Sequence, residues 1–333
     1  MLVKISHVFK VLAFMFSIGF GTIAVNAQSR SELMPKERIK DNKILVIKQY
    51  VHRFVGDKVD PKGYLSVVTK YDKKGNPVEV ENYKQNGKLS SKLTYKYDSD
   101  DRKIEYQQFQ YLPSGKFGLS YKQVFSYNKD GQKITELGFD GKSSYRVVYT
   151  YLSNGNQKEI IKYNSANQVE EKWVFDNQRE GVKINIYKPV DKLSRSIYRE
   201  FDSDNNIVQE INFNANGSEL GKTDTEYDKG GKVEVKTEFF KANMQAKYDY
   251  TYDPKGLLVE VYKTDSDGKK VLFNSFKYDS NGNLLEERWY EDGVNDYSKR
   301  EFKLDSKGNV NEVSAFYSDY NYRVVYKYEY EFY

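Results

Sequence analysis

Along most of the chain, apolar and polar residues alternate one for one. Leu93, Tyr95 and Tyr97 share one side of a segment whose other side is Lys92, Thr94 and Lys96. Val233, Val235, Thr237 and Phe239 alternate with Lys232, Glu234, Lys236 and Glu238, and Tyr326 to Phe332 keeps the same period. A period of two marks strands with one covered face. No segment after residue 27 carries the period of a helix, so the pattern predicts strands throughout, beginning at Ile44-Leu45-Val46-Ile47.

The breaks in the alternation repeat. An aromatic anchor recurs at Tyr71, Tyr97, Tyr127, Tyr151, Phe175, Phe201, Tyr227, Tyr252 and Tyr278, with Leu304 in the tenth place, a period of about 26 residues. Asp follows the anchor at Asp72, Asp98, Asp176, Asp202, Asp228, Asp253, Asp279 and Asp305. Gly stands four residues past it at Gly75, Gly131, Gly155, Gly231, Gly256, Gly282 and Gly308. Asp at the start of a type I turn accepts the backbone N–H two residues on, and the left-handed residue that closes such a turn with a bulge favours Gly. Asp101 and Asn205 occupy that place in two repeats and are the side chains it penalises least. Arg179 does not suit it, which predicts a local shift of register toward Gly181. Further turns at Gln85-Asn86-Gly87, Asn214-Ala215-Asn216-Gly217 and Glu291-Asp292-Gly293 make each repeat two strands and two turns.

The expected fold is therefore all-β: antiparallel hairpin repeats with about 20 strands. Laid flat at ~4.8 Å per strand they would span roughly 95 Å, and open sheets of that size curl or split. A curved or coiled sheet with aromatics inward and Lys and Glu outward is the leading expectation. A closed barrel or a β-propeller is the alternative.

The units Tyr-Asp-Ser-Asn-Gly-Asn-Leu-Leu-Glu-Glu (278–287) and Phe-Asp-Ser-Asp-Asn-Asn-Ile-Val-Gln-Glu (201–210) resemble YD repeats of the RHS family over about residues 59–333. That resemblance implies a secreted or surface hairpin-repeat protein of bacterial type. The family's core region and terminal toxin domain have no counterpart here, so what carries over is a small YD-repeat protein, a group associated with carbohydrate binding. The MORN repeat is a second resemblance with poorer spacing.

Residues 1–27 read as an export signal: Lys4 and Lys10, an apolar run from Val11 to Ile18, and small residues in Val25-Asn26-Ala27. Residues 28–43 form a lead-in, and 44–333 a single repeat domain. Removing the signal takes two of 53 basic residues, leaving 51 against 48 acids, a net charge of +3. Both signs interleave along the strands, which gives nucleic acid no basic stripe to follow. With no Cys and two His in 333 residues, disulfides, thiolate chemistry and Cys/His zinc sites are excluded. No cofactor or metal is implied. Asp265-Ser266-Asp267-Gly268 and Asp279-Ser280-Asn281-Gly282-Asn283 resemble pieces of calcium loops but complete none.

The two tryptophans, Trp173 and Trp289, and the adjacent Tyr290 interrupt the repeat pattern and are the candidate ligand-binding residues, since flat rings stack on sugars or peptides. The partner expected is an envelope polysaccharide or a surface protein, with the protein periplasmic or outside the cell, non-enzymatic and not membrane-inserted. An outer-membrane barrel is the second expectation. A glycoside hydrolase is the third, because two carboxylates suffice for that chemistry.

Overall fold

The computed structural model describes residues 34–290 and 296–333. The predicted signal at 1–27, the start of the lead-in and the Glu291-Asp292-Gly293 turn lie outside these. Among the described residues there are 23 antiparallel strands in one sheet, from Ile44–Val55 to Tyr322–Phe332. One of them, the two-residue strand Lys58–Val59, pairs only with the first strand. The other 22 form a ring. Each pairs with its neighbours in the chain, and the first strand pairs on one side with Tyr64–Tyr71 and on the other with the last strand, where Ile47 faces Tyr330 and Val51 faces Tyr326. The sheet is thus a closed barrel, one of the shapes that the sequence leaves open. Closure removes the unpaired edges that an open sheet of this length would expose. Twenty-two strands tilted by about 40° make a ring about 45 Å across, backbone to backbone.

The turns at one rim share one construction. The Oδ1 of Asp72 accepts the N–H groups of Lys74 and Asn76, both at 2.9 Å, while the Gly75 N–H donates to the Asp72 carbonyl at 3.0 Å. Asp98, Asn128, Asp202, Asp228, Asp253, Asp279 and Asp305 accept the same pair of bonds. Gly75, Gly131, Gly231, Gly256, Gly282 and Gly308 adopt positive φ, and so do Asp101 and Asn205. The opposite rim repeats the design at Asn164, Asn214 and Asp265. At Arg179 the register shifts: the strand runs on to Asn177 and the hairpin closes between Gln178 and Gly181. The Asp265 and Asp279 turns that resemble calcium loops spend their carboxylates on these backbone bonds, and in the second also on the Asn283 amide.

The anchor tyrosines add a bond to the same rim. The Tyr97 hydroxyl donates to the Pro77 carbonyl at 3.0 Å, Tyr127 to Lys103 and Tyr151 to Lys133 at 2.8 Å, Tyr227 to Ile207 at 3.0 Å, Tyr252 to Val233 at 2.8 Å and Tyr278 to Leu258 at 2.9 Å. Tyr330 does the same to Val310. Each acceptor opens the strand after the preceding turn, beside the bulge that interrupts the ladder. Phe175 has no hydroxyl, and there the Asn177 amide reaches the equivalent carbonyl, Gln157, at 3.2 Å.

The tyrosine face is the inner one. Leu93, Tyr95 and Tyr97 lie on it with Ile47, Tyr328 and Tyr330, and most of the buried wall positions, such as Val147, Ile184, Ile186, Val313 and Val324, lie on it too. Most other inner side chains keep intermediate exposure, so the lumen is wet and not a packed core. The outer face carries ladders of opposite charge: Lys70–Glu79–Lys92–Glu81 and Lys96–Glu105–Lys122, with separations of 2.5 to 3.7 Å. Singly such exposed pairs add little stability.

Two expectations are corrected. In the strand Val233–Phe240 the faces are exchanged: Val235, Thr237 and Phe239 point outward, and Lys236 and Glu238 point into the lumen, where they pair at 2.7 Å. A wet lumen tolerates an ion pair that a dry core would not. The lead-in also holds a helix, Lys36–Asp41, where the alternation predicts none. Six residues are too few to be helical alone. Docking holds it: Met34 and Ile39 pack with Ile44, Ile47, Phe302, Val310, Val313 and Tyr328.

The helix also ties the rim together. Lys36 pairs with Asp101 at 3.0 Å, Arg38 donates to the Gly308 carbonyl at 2.9 Å and to Asn283 at 2.5 Å, and Asn42 donates to Asn309 at 2.6 Å. Ile47, Phe302, Val313 and Tyr328, against which Met34 and Ile39 pack, belong to the inner face, so the helix lies on the concave side, inside the mouth of the barrel.

Candidate ligand-binding site on the inner wall

Three tyrosines stand in a row across consecutive strands of the inner wall. Tyr95, on Leu89–Tyr97, lies opposite Tyr106, on Lys103–Tyr111, with ring centroids 5.3 Å apart. Tyr106 is 5.9 Å from Tyr121, on Phe117–Tyr127. The next strand, Lys133–Phe139, has Gly138 opposite Gln123, two residues along from Tyr121, and the ring of Tyr145 from the strand beyond lies over that glycine. A Cβ on Gly138 would stand 1.9 Å from Tyr145 Cζ. The Tyr145 and Tyr121 hydroxyls are 2.9 Å apart. Four successive strands are thus each covered by one ring.

Amides border the rings. Gln108 accepts from the Tyr106 hydroxyl at 3.4 Å and donates to Gln110 at 3.3 Å, and Gln123 lies opposite Tyr106. A primary amide offers two donors and two acceptor sites, more than these bonds occupy.

Glu136 fixes the far end of the row. It is buried, with 2% exposure, and a buried carboxylate is tolerable only when its oxygens are satisfied. Gln123 donates to it at 2.7 Å, Tyr145 at 3.0 Å and Tyr149 at 3.3 Å, and Lys133 approaches at 3.4 Å. Burial, helped by the Glu136 charge, pushes the Tyr145 and Tyr149 hydroxyls well above the usual tyrosine range. Burial also raises Tyr106 and Tyr121, and takes Tyr95 to about 12. The row is therefore neutral and proton-bearing at physiological pH. Flat apolar faces edged with neutral donors and acceptors can hold a ligand without making or breaking bonds in it.

The residues singled out by the sequence are dispersed. Trp173 is on the inner wall, packed beside Phe175, Ile184, Ile186 and Ile197, with its indole N–H donating to Glu171 at 2.5 Å. Trp289 is also on the inner wall, under the Arg300 guanidinium at 5.1 Å, many strands away from Trp173. Tyr290 points to the outer face, where it is buried beside Tyr297 and meets Ser275 at 3.2 Å. The structure brings none of the three together. The adjacent carboxylates Glu286 and Glu287, both buried, point to opposite faces. Although burial opposes ionisation, Arg288 and Lys277 hold the Glu286 carboxyl below its ordinary range, and Arg300 pairs with Glu287 at 2.5 Å. They do not form the facing pair that glycoside hydrolysis needs.

The tyrosine row escapes the sequence because it depends on register: Tyr95 and Tyr106 are 11 residues apart, and Tyr121 is 15 further on. The signal that points to it is Gly138, a glycine inside an alternating strand, where a close approach is expected.

No protein-family pattern matches the chain, and no curated protein matches it in sequence. Among solved structures, it is similar to TcdB2-TccC3 without its hypervariable C-terminal region, with a TM-score of 0.39, 11% identity, and coverage of 76% of this chain but only 14% of that one. A porin-like protein from Bacteroides uniformis ATCC 8492 gives a TM-score of 0.33 at 10% identity, over 87% of this chain and 97% of that one. A porin-like protein from Bacteroides vulgatus ATCC 8482 gives 0.21 at 12% identity, over 85% and 97%.

Proposed function

We propose that the protein is an exported, non-enzymatic YD-repeat scaffold that holds a glycan of the cell envelope against the inner wall of its barrel. The observation that carries this reading is the unbroken row of Tyr95, Tyr106, Tyr121 and Tyr145 with Gln108, Gln110 and Gln123 beside it. Aromatic faces match the C–H faces of sugars, and side-chain amides match their hydroxyls. The export pattern at 1–27 supports an envelope or extracellular site.

The closed ring of strands favours a second reading, a barrel inserted in the outer membrane. Such a barrel turns an apolar band about 25 Å tall toward lipid. The outward Lys70, Glu79, Lys92, Lys96, Glu105 and Lys122 stand where that band would be, which supports water on both sides of the wall. No helix among the described residues is long and apolar enough to cross a membrane.

Affinity electrophoresis on envelope polysaccharides tests the first reading. Retention that is lost in Tyr106→Ala upholds it; no retention on any polysaccharide, peptidoglycan or envelope extract overturns it. Extraction from cells only by detergent would favour the membrane barrel instead.

A further inference from the structure

The geometry of the row says more than that it suits sugars. Resting on the glycan reading above, we infer that the site takes an extended, unbranched, β-linked pyranose chain and grips four consecutive residues of it, one per strand. The rings of Tyr95, Tyr106 and Tyr121 succeed one another at 5.3 and 5.9 Å, close to the ~4.8 Å spacing of the strands that carry them. One pyranose of an extended chain is about as long as one such step. A chain laid across the strands therefore meets a new ring with each sugar. An α-linked chain of the amylose type coils and leaves a straight row after two or three residues.

The row is straight enough for this, because four of 22 strands are a small arc of the ring. Its length is set at both ends. Beyond Tyr95 the inner wall continues as Val80 and as Asn82, which donates to Ser91, with no aromatic ring. At the other end Tyr145 has already moved one strand inward to lie over Gly138, and its hydroxyl is held there by Tyr121 and Glu136. A large side chain at 138 would break the row, and the absence of one lets the neighbouring strand supply the fourth ring. Successive rings are tilted by 40° and 60° and are not coplanar. That suits a chain whose successive sugars present alternating faces.

The ligand thus lies around the hoop of the barrel and does not thread along its axis. Recognition extends along the polymer but stays local, so the free ends of a longer chain hang in the lumen without adding affinity.

Calorimetric titration of the full chain with cello- and chito-oligosaccharides of two to six residues, and with malto-oligosaccharides of the same lengths, tests this. We expect one of the β-linked series to gain about fivefold in affinity per added residue, from one aromatic contact each, up to four residues and then level off. The α-linked series should stay weak and flat. Gly138→Ala, which evicts the Tyr145 ring, should move the plateau to three. Tyr95→Ala, which removes the ring at the other end without touching the Glu136 network, should do the same, and covers the case in which the Gly138 variant fails to fold. Equal binding of α- and β-linked series, affinity still climbing past four, or a plateau unmoved in both variants would overturn the inference. So would the absence of binding to every one of these sugars. In that last case retention on envelope polysaccharide, lost in Tyr106→Ala, would still uphold the broader glycan reading, so the two fail separately.

Discussion

Replacing the rim tyrosines by phenylalanine isolates one atom per repeat. Tyr97, Tyr127, Tyr151, Tyr227, Tyr252 and Tyr278 each donate to a carbonyl at 2.8 to 3.0 Å, beside a bulge where the ladder cannot serve that carbonyl. Loss of one neutral hydrogen bond of this kind costs about 1 kcal/mol. The ring and its packing remain, so no cavity contributes. The sites lie on separate hairpins and should add, giving about 6 kcal/mol for the sixfold variant. At about 2.1 cal/mol/K per residue, a domain of this size unfolds with an entropy of roughly 0.6 kcal/mol/K, so Tm should fall by about 10 °C. Differential scanning calorimetry and urea titration read this directly. A sixfold variant that melts within about 2 °C of the parent would refute the idea that the hydroxyl, and not the ring, accounts for tyrosine at the anchor. The Phe175 repeat supplies an internal control. Phe175→Tyr should gain nothing, because Asn177 already serves the Gln157 carbonyl, whereas Asn177→Ala should cost about as much as one tyrosine hydroxyl.

Three further outcomes follow from other parts of the barrel. Gly231 has positive φ and open space around its Cβ position, so Gly231→Ala should cost only the left-handed strain, about 1 kcal/mol; Gly75→Ala should cost more and loosen the helix, because its Cβ would stand 2.6 Å from the Lys36 carbonyl, and urea midpoints compare the two. Lys74 and Lys36 hold the Asp101 carboxyl down to about 2, against about 3.9 in an unfolded chain, so its contribution is present above about pH 4 and is lost as pH falls toward 2; hydrogen exchange of the helix amides should accelerate over that window, and in Asp101→Asn that acid step should vanish. Burial raises Tyr95, Tyr250 and Tyr278 to about 12, so the stability they contribute is present below pH 10 and lost between 10 and 12; tyrosinate absorbance should rise steeply with unfolding, and a smooth titration at the ordinary tyrosine pKa with the fold intact would contradict their burial.

What could be read before folding was whatever is local. The Asp-to-Gly turns declare themselves because their bonds close within four residues, and even the outlier at Arg179 announced its shift through Gly181. Alternation placed Leu93, Tyr95 and Tyr97 on one face correctly for the same reason. It misplaced Val233–Phe240, because which face is inner depends on the register against Glu219–Tyr227, and the apolar side of that strand looks outward, as do Ile211 and Phe213 two strands earlier. Closure of the ring pairs Ile47 with Tyr330 across almost the whole chain, and a two-residue period carries no trace of that partner. The lead-in helix was hidden by its brevity: one buried isoleucine, Ile39, is its only internal apolar mark. Rarity drew notice to Trp173 and Trp289. The row on the inner wall is built from the commonest aromatic in the chain, and only Gly138 betrays it.

The way the ring closes has a consequence for how such a protein can change size. Every repeat contributes one strand up and one strand down, and the first and last strands meet antiparallel. Duplicating or deleting a repeat in the gene preserves that meeting, whereas gaining a single strand would set the seam parallel. Bore can therefore vary only in fixed increments of two strands, each widening the ring by about 4 Å. Relatives built on this plan should form a graded set of gauges, each with its own lumen width, produced by copying a 26-residue unit without redesigning any contact within it.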